Sequence, residues 1–217
     1  QAPHLVVIDN LETVADMEAL LPTLHTLSNP SKFLLTTRKR LVGERSIYLY
    51  PVPELSLAHA CILVRQVAAA TNAANLAAAT DADLEPLYAT VGGNPLALLL
   101  TAGQIQLHGM EAVIADLRQA RGAPVENLYT FIYRRAWDNL DNLGRHLLLT
   151  MALVNVRGDT LDFIIATSGL GAGEAHDALD RLLRLSLVQS SSDLHKRRYL
   201  IHSLTRTFLL EQVARWR

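Results

Sequence analysis

The sequence predicts a mainly helical protein that opens on a short α/β segment and closes on three helices and a hairpin. Three observations predict it. Ala and Leu dominate while aromatics make up only 6% of the chain, a balance that favours helices over sheets. Near the N-terminus two short apolar runs flank a stretch with helical periodicity, the pattern of an α/β sheet. Near the C-terminus the helical pattern gives way to two β-prone runs joined by polar residues.

Composition bounds the rest. A chain of 217 residues, half of them apolar, has room for one large domain or two to three small ones with real cores. A net charge of −1 gives no reason to expect nucleic acid or anionic lipid as a bulk partner. No stretch approaches the roughly 20 apolar residues of a membrane span. Cys61 is the single cysteine, so no internal disulfide exists, which fits a reducing, cytoplasmic setting. Its apolar, helix-like surroundings make it a small core residue. The chain begins Gln-Ala-Pro-His without an initiating Met, so its N-terminus reads as a cut.

In chain order, His4-Leu5-Val6-Val7-Ile8-Asp9 reads as a strand buried on both faces, as in a parallel sheet. Apolar residues at helical spacing follow from Leu11 to Leu27. A second buried strand is expected at 32–37 and a third, half-alternating one at 46–50. Pro51-Val52-Pro53 closes this part. Helices are then expected at 57–79, 81–91, 94–108 and 110–121. Gly92-Gly93 separates the second from the third, and Asn94-Pro95 suits a cap and first turn. Gly122-Ala123-Pro124 marks a further boundary. Helices are expected at 125–139, 142–153, 160–168 and 173–185, strands at 186–190 and 198–202, and a last helix at 204–215. Three helices followed by a β-hairpin is the order of a winged helix.

Four places carry chemistry. Asp9 ends a buried parallel strand, where open α/β sheets place their ligands, and a carboxylate there either holds Mg²⁺ or caps the next helix. Arg38 ends the run Phe33-Leu34-Leu35-Thr36-Thr37-Arg38. Its guanidinium either reaches the oxygens of a terminal phosphate or belongs to a solvated basic stretch with Lys39 and Arg40. Gly92-Gly93 permits a tight turn, after which Pro95 offers a flat apolar surface to an adenine ring or simply starts a helix. His202, at the end of the last strand, either donates to a diphosphate or is a satisfied structural histidine.

Taken together, LVVIDNLE, FLLTTRKR, GGNPLALLL and YLIHSLTRTFL occur in the order and at roughly the spacing found in NB-ARC (STAND) ATPases, and the chain resembles bacterial members of that family along its whole length. The resemblance implies three parts. Residues 1–52 are the tail of a P-loop nucleotide-binding domain, 53–123 a helical ARC1-like domain, and 124–217 a winged-helix ARC2-like domain. It implies that Asp9 matches the Walker B acid that coordinates magnesium, and Arg38 the sensor arginine that reads the γ-phosphate. Pro95 matches the proline that packs on adenine, and His202 the histidine that holds the β-phosphate of ADP. The implied activity is a slow ATP/ADP switch that controls self-assembly. An effector domain and phosphate loop would precede it, and a sensor domain would follow.

Three departures from the family pattern stand out. Asn10 occupies the place of the second Walker B acid, leaving Glu12 either as a substitute base or as the start of a helix. Ser203 replaces the Asp that follows the histidine. No GxxxxGK[ST] occurs in these residues, and Gly169-Leu170-Gly171-Ala172-Gly173 reads as a turn before a helix. The chain alone is therefore expected neither to hold ATP tightly nor to hydrolyse it. A winged helix also binds DNA, which keeps a transcriptional regulator as the rival reading. The helix at 173–185, however, mixes acids and bases where a phosphate-facing helix is clearly positive. A scaffold without nucleotide chemistry is the third reading.

Overall fold

A computed structural model describes residues 2–9, 11, 14–37, 47–120, 125–192 and 196–211. It is mainly helical, with a small parallel sheet at the N-terminus. Two compact units divide it, Gln1–Val52 and Pro53–Arg217.

In the first unit β1 (Leu5–Ile8) and β2 (Lys32–Leu35) pair in parallel, Leu5 opposite Lys32 and Ile8 opposite Leu35. A parallel pair needs a crossover, and α1 (Val14–Leu27) supplies it, burying Leu21 and Leu24. The strands are not buried on both faces as expected. Leu5, Val6, Val7 and Leu34 are all exposed. Two strands have two edges, and one helix leaves much of their apolar surface uncovered. The strand expected at 46–50 is also absent over its described part. Residues 47–50 carry no strand, and Tyr48 and Tyr50 are exposed. β-propensity needs a partner ladder before it becomes a strand.

The second unit is built from helices whose starts are written in local chemistry. Ser56 caps α2 (Leu57–Ala70), its hydroxyl accepting from His59 N–H. The helix expected to run to residue 79 stops early. Asn72 lies in the left-handed region at φ 58°, and α3 (Ala74–Ala77) adds only one turn after it. Thr80 and Asp83 form a capping box at α4 (Asp81–Val91). Then come α5 (Pro95–His108), α6 (Met110–Ala120), α7 (Val125–Asp138), α8 (Asn142–Met151), α9 (Leu161–Ser168) and α10 (Ala172–Arg184). Asp141 and Thr160 cap α8 and α9 through their side chains.

After α10 the expected strand at 186–190 starts late. Ser186 sits at φ 57°, and Leu187 N–H returns to Leu182 carbonyl at 3.0 Å, so the helix terminus absorbs the first three residues. β3 (Gln189–Ser192) and β4 (Arg197–Leu200) then pair antiparallel. Asp159 adds a one-residue bridge to Tyr199, which the sequence did not signal. Gly158 admits it, since a Cβ there would meet the Tyr199 carbonyl at 2.9 Å. The last helix is α11 (Ser203–Glu211).

α5 organises this unit. Residues 96–98 and 100–105 are buried, as expected of a helix apolar on every side. At Gly103 a Cβ would lie 2.6 Å from the carbonyl carbon of Leu185, so α5 and the end of α10 meet backbone to backbone. Gln104 Nε2 donates to the Ile132 carbonyl of α7 at 2.8 Å. Tyr133 of α7 stacks on Phe208 of α11 at 4.5 Å and shares a 3.0 Å hydrogen bond with Thr205. One buried cluster runs from Ala60 to Leu209. The expected boundary at 122–124 lies outside the described residues.

Candidate functional site

Asp9 stands just past β1, exposed, and Thr36 just past β2. The register that sets Ile8 beside Leu35 brings these two together, and the Thr36 hydroxyl donates to the Asp9 carboxylate. Thr36 N–H donates to the Ile8 carbonyl at 3.1 Å, and Leu11 N–H to the Thr36 carbonyl at 2.9 Å. The carboxylate is thus pinned at the C-terminal edge of a parallel pair, where a hard cation would find oxygen ligands. No cluster of three metal-ligating side chains occurs among the described residues. Arg38, Asn10 and Glu12 lie outside the described residues. Sequence reading named Asp9 but missed Thr36. The strand register decides that pairing, and no local pattern records it.

Pro95 is the first residue of α5 and is exposed. Asn94 caps the helix, Oδ1 accepting from Leu96 N–H at 3.0 Å and Ala97 N–H at 3.2 Å. Gly92 has φ 75°, a conformation that side chains resist. What stands at 92–95 is a locally satisfied turn that presents a proline ring to solvent.

His202 caps α11. Its carbonyl accepts Arg206 N–H at 3.0 Å, and its Nδ1 accepts Leu204 N–H at 3.1 Å. The ring is thus oriented by its own helix, with Nδ1 turned to the Leu204 N–H. One turn later Arg206 donates to the Ala152 carbonyl at the end of α8.

The other candidate groups are structural. Cys61 is buried, and burial pushes its thiol up, with Asp81 adding to the rise and Arg65 opposing it. A thiol held protonated is a poor nucleophile. Gly169 is the left-handed cap of α9 at φ 69°, and Gly171 N–H donates to Glu174 Oε2 at 3.0 Å. The glycine cluster is therefore a helix–helix turn. On α10, Ala175, Ala178, Leu179 and Leu182 face the core. Its outward Arg181 is paired with Asp141 at 2.6 Å, and His176 stands 3.9 Å from Asp180. On the hairpin Arg197 lies over the Tyr199 ring, and Arg198 donates to the Gly158 carbonyl at 3.1 Å.

A cleft of about 1780 Å³ opens in the second unit, lined by Thr71, Gln106, Arg118, Arg184, Ser186 and Arg197 among others. Neither Pro95 nor His202 lines it. Its walls come from α2 to α6, α10 and the hairpin, too far apart in sequence for any motif to announce it. Among the described residues no helix is long and apolar enough to cross a membrane. Comparison with protein-family models finds no match for the chain, and comparison with curated proteins finds none.

Proposed function

We propose that this chain is the regulatory segment of an ADP/ATP-responsive switch of the NB-ARC (STAND) type. The observation that carries the reading is the Asp9 carboxylate joined to Thr36 at the C-terminal tips of two parallel strands. That is where α/β folds hold magnesium and phosphate. The four motifs add to it through their order along the chain.

In this reading residues 1–52 end a nucleotide-binding domain, 53–123 form an ARC1-like domain and 124–217 a winged-helix ARC2-like domain. Asp9 takes Mg²⁺, Arg38 engages the γ-phosphate of ATP, Pro95 packs on adenine, and His202 holds the β-phosphate of ADP. The phosphate loop comes from outside these residues, which contain no GxxxxGK[ST]. ADP then favours the state in which His202 engages the diphosphate, and ATP the state in which Arg38 does. A shift of that kind requires different affinities of the two states for the two nucleotides, since equal binding moves nothing. The assembling state exposes surfaces for self-association.

DNA binding through α10 finds less support, because its outward charges are mixed and Arg181 is paired with Asp141.

The test uses the longest natural polypeptide that contains these residues. It is purified without added nucleotide and denatured, and the released nucleotide is identified by chromatography. Near-stoichiometric ADP is expected. Asp9→Ala and His202→Ala should lose it. His202→Ser separates the two roles of the imidazole, because serine keeps a helix cap while removing the ring. A protein that is purified empty and also ignores added ATP would sink the reading in favour of a scaffold or a DNA-binding role.

A further inference from the structure

The cleft of the second unit has a volume of about 1780 Å³, well above the roughly 300–1,000 Å³ of a small-molecule pocket. Space of that size suits a stretch of polypeptide. Leu63 and Val67 of α2 and Leu183 of α10 line it and are half-buried, leaving apolar surface for a ligand to cover. Its cations set it apart from the rest of the unit. Elsewhere Arg65 pairs with Asp81, Arg135 with Asp116 and Arg181 with Asp141. Arg118 and Arg184 line the cleft, are exposed, and hold no ion pair or side-chain hydrogen bond among the described residues. Arg197 joins them from β4, where one N–H donates to Ser190 Oγ at 3.2 Å. A guanidinium carries five N–H donors, so even Arg197 keeps most of its fork for a ligand.

Three acids line the same cleft, and none of them takes up these cations. Asp83 accepts from the Thr80 N–H and hydroxyl, and Asp180 faces His176 of its own helix at 3.9 Å. Glu111 stands in the first turn of α6 and Arg118 in the last, about 10 Å away along the axis. Asn72 and Ser186, the two non-glycine residues with left-handed backbone among the described residues, also line the cleft. Such conformations cost stability and gather where a surface is used. We propose that the cleft binds an acidic, amphipathic segment of polypeptide. Arg118, Arg184 and Arg197 take its carboxylates, for which a guanidinium fork is the matching donor, and Leu63, Val67 and Leu183 cover its apolar side chains. The site lies within the second unit and does not rest on the nucleotide reading.

Fluorescence anisotropy tests this with a labelled peptide of alternating Glu and Leu, titrated with the longest natural polypeptide that contains these residues. A Lys–Leu peptide and a Glu–Gln peptide of equal length are the controls. The Glu–Leu peptide should bind, more weakly as salt rises. The Lys–Leu peptide should not bind, and the Glu–Gln peptide should bind at least about tenfold more weakly for want of apolar side chains. Arg118→Ala and Arg184→Ala should each weaken binding about five- to tenfold, the size of one lost hydrogen bond to a charged group. Neither arginine has a partner to lose, so both variants should melt with the parent. Arg157→Ala removes an exposed arginine outside the cleft and should change nothing. Ala115→Trp, which fills the cleft from α6 without altering a charge, should abolish binding. A parent that ignores the Glu–Leu peptide, or binds it no better than the Lys–Leu peptide, overturns the proposal. Arginine variants that bind as tightly as Arg157→Ala do the same. Full displacement by inorganic pyrophosphate at the peptide's own concentration would make the cleft a small-anion site and also overturn it.

Discussion

The two units take the same kind of apolar sequence to opposite ends. Leu5 and Val7 in β1 are 69% and 57% exposed, whereas Leu98 and Leu100 in α5 are 1% exposed. Hydrophobicity is alike in the two places; what differs is the number of layers around them. α5 is packed by α2, α6 and α7 and touches Leu185 through Gly103. Among the described residues β1 has one neighbouring strand and one crossover helix. Apolar residues stabilise a fold in proportion to the area taken out of water, so the stability of the chain resides in the second unit.

The sharpest way to break that comparison is to truncate one leucine in each unit. Leu100→Ala should cost about 2–5 kcal/mol, as buried leucines do, while Leu5→Ala should stay within roughly 0.5 kcal/mol, as for an exposed residue. Urea unfolding of the two variants decides it, and equal costs would mean that β1 is covered in the folded protein.

Gly103→Ala comes next. Helix propensity alone would make alanine stabilising by about 1 kcal/mol, but its Cβ would meet Leu185 backbone, and overpacking of that kind costs about 1–3 kcal/mol. A lower thermal midpoint is expected; a higher one would show that α5 and the end of α10 part easily.

Ser186→Gly should act in the opposite direction. Serine at φ 57° pays a left-handed strain that glycine does not, so the variant should gain up to about 1 kcal/mol in the same denaturation assay. A loss would mean that the hydroxyl has a role in the adjoining cleft.

The smallest effect is a pH dependence at α4. The Thr80 hydroxyl, and then the Thr80 backbone N–H, hold the Asp83 carboxyl below its ordinary range. A carboxylate with a lowered folded pKa stabilises the fold at pH values above its unfolded pKa, about 4, and that contribution is lost as pH falls through the lower folded value. Asp83→Asn should therefore separate from the parent in melting temperature at neutral pH and converge with it in acid. Parallel curves down to acid pH would remove the capping box from the account.

Where elements begin was legible because helix starts are local. Thr80, Asn94 and Asp141 each satisfy N–H groups two or three residues on, and sequence spacing shows that directly. Helix ends were less legible. Asn72 follows α2 in the left-handed region with a residue that favours it less than glycine does, so the reading ran past it, whereas the helix expected to end at 185 ends at Arg184. The strand expected at 46–50 failed for a different reason. Its alternation is real, but a strand exists only through a neighbour. Asp9 in the first unit, and Pro95 and His202 in the second, were named from sequence. The groups around them were not: Thr36 on Asp9, Glu54 on the Gly93 N–H two residues before Pro95, and the Leu204 N–H on the His202 ring.

The sequence by itself determined the helical periodicities and the caps, which depend on neighbours a few residues apart. Tertiary structure alone decided that the second unit has one core, that Gly103 is a backbone contact, and that β1 is left exposed. Each of these depends on groups separated by tens of residues in the chain, and no local pattern records which distant backbone will arrive.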